Sequence, residues 1–178
     1  MGNVVGQRKG SGLVHDGPID LHTRLRRHIS NSLSWIAADD GAKLQVKHLR
    51  EKYPAAEHRD FVGPCQTYNC HGLTFASRRT VIHSSPEIES ILTDDGYVRV
   101  NWTEVKAGDI AIYRTSAALG AEIHHSGIVV SRPKVPEGTI KSSPKILSKW
   151  GFSHEVIHDE TYCEYVENAT IEYYRIVK

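Results

Sequence analysis

No apolar run in this 178-residue chain approaches the length of a membrane span, and its first residues carry no hydrophobic stretch like that of a signal peptide. Cysteine is scarce. Three residues make an odd set too small for a disulfide framework, which points to free thiols and to a cytoplasmic home or export by a non-classical route. An excess of charge of either sign is missing as well. With 22 Lys and Arg against 21 Asp and Glu, no overall field draws the fold onto nucleic acid or an anionic membrane. Interleaved aromatic and basic residues are also lacking, which argues further against nucleic acid. No internal repeat is visible. The absence of a paired Cys-x-x-Cys knuckle speaks against a zinc site built from Cys65, Cys70 and His71. Hydrophobic residues, at 39%, are lean for a globular chain, so part of the sequence is expected to stay unpacked. What is plentiful is histidine: eleven residues whose charge grows below neutral pH.

The length fits one compact domain with a short appendage. Residues 1–18 are rich in Gly and charge without usable periodicity and read as a flexible basic arm; residues 19–178 read as the domain. Around Gly2 to Val14 the arm resembles the basic opening of a large-subunit ribosomal protein, without that family's histidine- and lysine-rich continuation. From Ile19 to Ala38 apolar residues recur at three- and four-residue steps, which predicts one amphipathic helix or two short ones. Asp39-Asp40-Gly41 breaks that pattern, and Ala42 to Tyr53 reads as a further helix that stops before Pro54. A loop leads to Cys70, and His71 to Ser77 continues as a helix. Pro86 to Leu92 is a short helix with proline in its first turn. Strands are expected at Tyr97–Val100, Ile110–Tyr113, Ile123–Val130, Lys145–Trp150, Glu155–His158 and Ile171–Val177, with a loop over Pro133 to Pro144. Helices first and strands later is the α+β pattern, with N-terminal helices packed on an antiparallel sheet.

A cysteine is a useful nucleophile only as thiolate, and its free pKa lies near 8.5. A helix N-terminus and a nearby imidazolium both lower it. Cys70 is placed for both, because a loop ends at Asn69 and a helix-like run follows at once. Gly72 would leave the thiol face uncrowded, and the Cys70 N–H would point where an oxyanion develops. Taken alone, Cys70 reads more readily as a buried structural cysteine, as Cys65 and Cys163 do. The partner is supplied by Ile123-His124-His125-Ser126-Gly127-Ile128. Strand alternation puts His125 on one face with Gly127 and Val129 and turns His124 to the other.

The order Asn69-Cys70-His71-Gly72-Leu73, then Gly108-Asp109-Ile110-Ala111-Ile112-Tyr113, then His125-Ser126-Gly127-Ile128-Val129-Val130 resembles the NlpC/P60 and CHAP group of the papain-like superfamily. The likeness spans about Tyr68 to Trp150. It implies a papain-like fold with Cys70 as nucleophile and His125 as general base, cleaving an amide bond through an acyl-enzyme without a cofactor. Those families commonly show Asp-Cys-Ser-Gly where this chain has Asn69-Cys70-His71-Gly72. Family logic places the third, orienting residue on Lys145 to Trp150. Lysine cannot accept the imidazole N–H, so Ser148 is the chemical choice there, with His158 or Asp159 as alternatives. Trp150-Gly151 reads as a packing element rather than a sugar-stacking platform.

The expected activity is therefore a thiol hydrolase acting on a peptide, a peptidoglycan stem or an isopeptide, in the setting of an effector or toxin module. Deamidation or acyl transfer would share the acyl-enzyme and differ only in the acceptor. An inert papain-like fold that binds a protein partner is the competing expectation.

Overall fold

The computed structural model describes residues 18–32, 39–60, 63–133 and 142–177. Seven antiparallel strands form one sheet: β1 (Glu57–Arg59), β2 (Tyr97–Val100), β3 (Ile110–Thr115), β4 (Ile123–Ser131), β5 (Lys145–Lys149), β6 (Glu155–Asp159) and β7 (Ala169–Ile176). Their spatial order is β1-β6-β5-β4-β3-β7-β2. Among the described residues three α-helices precede most of the sheet: α1 (Asp40–Lys52), α2 (Cys70–Phe75) and α3 (Ser85–Asp94). The chain is thus α+β, as its pattern of helices and strands predicts.

Alternation along β3 sorts the core into two halves. Ala111 and Tyr113 join Val129, Ile146, Trp150, Val156 and Tyr173 on one face, where Leu49 brings in α1. Ile110 and Ile112 join Ile82, Ile88, Ile91 and Leu92 on the other, which α3 and the end of α2 cover. β3 starts where expected because Gly108 turns the chain at φ +92° and Asp109 fixes the turn. The Asp109 carboxylate accepts from the Lys106 N–H at 2.8 Å and is clamped by Arg175 of β7 at 2.6 and 2.7 Å. Trp150 is fully buried, which fits its reading as a packing element.

Two sequence expectations fail locally. Between Ile19 and Ser32 there is no helix, and residues 33–38 lie outside the described set. The segment is a small turn with a bridge between His22 and His28, and Arg26 takes φ +64°. Polar contacts with the end of α3 hold it in that shape. Thr23 donates to Asp94 at 2.9 Å, Arg27 pairs with Asp94 at 2.7 and 3.1 Å, and the Arg24 N–H donates to Asp95 at 2.6 Å. Among the described residues of the supposed apolar stripe only Ile29 is fully buried, while Leu25 is 72% exposed. The short edge strand β1 went unpredicted because Glu57-His58-Arg59 has no apolar alternation to announce it. The arm at 1–17 and most of the Pro133 to Pro144 loop lie outside the described residues.

Candidate active site

Cys70 is the first residue of α2, and Asn69 is its N-cap. The Asn69 side-chain oxygen accepts from the Gly72 N–H at 2.9 Å, and its amide donates to the Ile82 carbonyl at 2.7 Å. One residue therefore caps the helix and ties its start to the chain beyond it, a cap worth about 1 kcal/mol. Gly72 has a different use from the one expected. A Cβ there would stand 1.8 Å from the Thr80 carbonyl oxygen, so glycine is required for packing α2 against residue 80 rather than for clearing the thiol face.

His71 helps to seat α2 on the sheet. Its Nδ1 lies 2.8 Å from the Ser126 hydroxyl, which donates at 3.0 Å to Thr74, which donates at 2.9 Å to the Cys70 carbonyl. Because the Ser126 hydrogen is spent on Thr74, the His71 ring must donate through Nδ1. Burial, with lesser contributions from His124 and His83, lowers His71 to about 4 and keeps it neutral for this role. Sequence reasoning passed over His71 and Ser126, whose buried chain of hydrogen bonds seats α2 on β4.

The Cys70 thiol is buried, and burial pushes it up to about 11. Backbone N–H groups of Ser126, His71 and Cys70, and the charge of Lys149, oppose that rise.

His125 is fully buried on the face it shares with its direct partner Tyr113. The face is opposite the one on which His71 of α2 meets Ser126, so the helix that Cys70 begins and the imidazole lie on opposite sides of the sheet. Tyr113 packs edge-on at 5.2 Å between ring centroids, and Tyr165 stacks on the other side at 3.8 Å and 8°. Among the described residues neither ring nitrogen has a hydrogen-bond partner, so the ring is bonded neither to the thiol nor to an orienting acceptor. Burial first, then His158, His71 and His124, hold His125 well below its ordinary pKa.

The three candidates for the third residue are all engaged elsewhere. His158 Nδ1 donates to the Asp159 carbonyl at 2.8 Å, which leaves Nε2 to accept from Ser148 at 2.8 Å. Trp150 donates to the same Ser148 oxygen at 3.1 Å. The Asp159 carboxylate pairs with Lys145 at 3.0 Å.

Strand alternation fails just before His125. The β3–β4 register shifts after Tyr113, so Arg114 faces Ile123 and His124 is the extra residue of a bulge. His124 therefore does not turn away: its Nε2 lies 2.8 Å from the Tyr165 carbonyl while His125 stacks on the Tyr165 ring. Tyr165 is therefore a neighbour of both histidines. Nothing in the local sequence around Tyr165 signals this, since it reaches the site from the connection between β6 and β7.

Against known proteins the chain matches no family model, no curated protein sequence and no solved structure.

Proposed function

We propose that the protein is a papain-like thiol hydrolase, related in plan to the NlpC/P60 and CHAP group, that cleaves an amide bond through an acyl-enzyme on Cys70. The observation that carries the reading is His125. A fully buried imidazole with both nitrogens unpartnered is costly, and such groups occur where catalysis has a use for them. It is the chain neighbour of Ser126, whose hydroxyl meets His71 of the Asn-capped helix that Cys70 begins. Both groups are neutral at rest and no hydrogen bond joins them, so the reading requires a rearrangement that brings a His125 nitrogen to the thiol; the thiol proton then moves to that nitrogen as sulfur attacks the carbonyl carbon, and the ring passes it on to the leaving amine. The Cys70 N–H, at the helix start, is the candidate donor to the oxyanion. The substrate class is a peptide, a peptidoglycan stem or an isopeptide.

The burial of both groups favours a second reading, an inert papain-like fold that binds a protein partner. One experiment separates the two. The protein is incubated with stem peptides and isopeptide-linked substrates, quenched in acid and weighed intact, with iodoacetamide labelling at pH 6 alongside. Hydrolase chemistry gives an acyl adduct on Cys70 that is lost in Cys70→Ala and in His125→Ala. A thiol inert to iodoacetamide and to every substrate in the folded protein rejects the hydrolase.

A further inference from the structure

Two imidazoles meet end to end at the β1 edge of the sheet. His58 Nδ1 lies 2.6 Å from His154 Nε2, with the rings within 21° of coplanar and their centroids 4.9 Å apart. The outer nitrogens fix the hydrogens. His58 Nε2 lies 3.1 Å from the Tyr53 carbonyl, which can only accept, so this nitrogen carries the hydrogen and Nδ1 is bare in the neutral ring. His154 must then donate through Nε2, and its Nδ1 accepts from the Ser153 hydroxyl at 2.7 Å. The result is a one-way row, Ser153 to His154 to His58 to Tyr53, complete only while both rings are neutral. It joins the C-cap of α1 to the edge strand β1 and to the turn before β6. The corner is otherwise lightly held. Of α1 only Leu49 is buried, β1 pairs over three residues with β6, and Tyr53 and His58 meet the fully buried Trp150 edge-on.

We propose that the His58–His154 pair is an acid-operated latch: in mild acid it takes up protons, parts, and releases β1 with the end of α1 from β6 ahead of the rest of the sheet. The inference is independent of the hydrolase reading. A proton on His58 would set N–H against N–H across a 2.6 Å gap. A proton on His154 would need the Ser153 hydroxyl to turn, and would leave a charge on a ring that is 2% exposed. Positive groups face that ring: Arg50 of α1, and Lys149 of β5, whose amine donates to the Ser153 carbonyl at 2.8 Å. Asp60, after β1, is the nearby negative group and is already paired with Arg50. Glu57 and Arg59 flank His58 on β1 and pair with each other, and Lys52 of α1 lies over the Tyr53 ring at 5.2 Å. Glu155, which opens β6, is taken up by Arg78 and Tyr68. Burial first, then His58 and Arg50, lowers His154 to about 4, so the closed latch excludes a proton that the open one binds near pH 6.5. The latch is therefore shut above that pH. It is driven open as pH falls toward 4, by about tenfold in the opening equilibrium per pH unit.

Amide exchange followed by peptide mass, corrected for intrinsic rates, reads the corner and the core of the sheet in the same molecules. In the wild type, residues 53–59 should be less protected than β3 and β4 at pH 7 and at pH 5.5. Their protection should fall about eightfold between the two, the response of one site moved from about 6.5 to about 4. His154→Gln keeps a donor for His58 in an amide that does not titrate, so its corner should stay level across this range. His58→Ala removes the latch and should leave the corner equally open at both pH values. Where His154→Gln does not fold, long-range proton–nitrogen spectra of ring-labelled histidine in the wild type decide it, since both rings should be neutral at pH 7 with the hydrogen on Nε2. Three results overturn the latch: a corner as protected as β3 at both pH values, a fall of the same size in folded His154→Gln, or a ring of the pair that is charged or carries its hydrogen on Nδ1 at pH 7.

Discussion

The Tyr165 ring lies flat on the His125 imidazole, 3.8 Å between centroids and 8° from parallel. Its carbonyl meets His124, and its hydroxyl lies beside Gly151. Tyr165 therefore covers the ring that would act as base, and on the hydrolase reading that ring reaches the thiol proton only if this cover moves. Tyr165→Ala is expected to speed iodoacetamide labelling of Cys70 severalfold while costing about 3 kcal/mol of stability, as aromatic truncations in packed surroundings do. Labelling at the wild-type rate in a folded variant would mean that access is governed elsewhere.

His124 and His125 are adjacent and chemically alike, yet the bulge gives them separate tasks. His125→Ala should abolish acyl-enzyme formation and leave the fold standing, because the ring makes no hydrogen bond that its loss would break. His124→Ala removes the contact with the Tyr165 carbonyl, so its expected signature is faster Cys70 labelling with acylation retained. Thiol mapping and intact mass on the pair decide it. Loss of acylation at His124 alone would exchange their roles.

The main elements of the sheet were legible in the sequence because β2 to β7 carry apolar or β-branched runs bounded by Gly, Asp and Pro. Cys70 at a helix start was legible because Asn69 is a good N-cap. The helix expected from Ile19 was not realised, since the contacts that shape that segment come from Asp94 and Asp95, some 70 positions away. The bulge at His124 is set by its pairing with β3, and strand periodicity cannot foresee it. Tyr165 reaches the two histidines from a distant part of the chain, so it could not be found by reading outward from the cysteine or the histidines.

Ser148 holds two buried donors and acceptors together, the His158 Nε2 and the Trp150 N–H. Ser148→Ala should therefore act on stability, costing about 2 kcal/mol because both partners are left unpaired in the core. Urea unfolding with acylation measured in parallel checks this. A variant of wild-type stability with lost acylation would return Ser148 to the role of orienting residue.

Four buried histidines make the fold acid-sensitive. Burial lowers His71, His154 and His158 to about 4 each and His125 well below its ordinary value. The unfolded chain takes up these protons near pH 6.5 and the folded chain does not, so stability is full above that pH and falls as pH drops toward 4. At pH 5 the loss is about 2 kcal/mol per histidine before any relaxation of the site. For a chain of this size the four together should lower Tm by roughly 15 °C or more between pH 7 and pH 5. Calorimetry across that range would count against the buried neutral rings if Tm stayed level.

Gly72 ties the seating of α2 to the chemistry of Cys70. The Thr80 carbonyl that a Cβ would strike cannot easily retreat, because Thr80 is fully buried and its hydroxyl is held by Asn31 at 2.8 Å and by the Ser32 carbonyl at 2.7 Å. On the other side the same Cβ would meet Tyr68 at 3.1 Å. Gly72→Ala must therefore push α2 off β4, at a cost of about 3 kcal/mol for overpacking. Gly63→Ala, where a Cβ meets nothing within 4 Å, is the control and should stay within about 0.5 kcal/mol of the wild type. The displaced helix also carries Cys70 away from the Ser126 N–H, so the labelling midpoint of the thiol should rise in Gly72→Ala and not in Gly63→Ala. Equal stability and equal midpoints in the two variants would show that α2 is not seated against residue 80, and the placement of Cys70 beside β4 would fall with it.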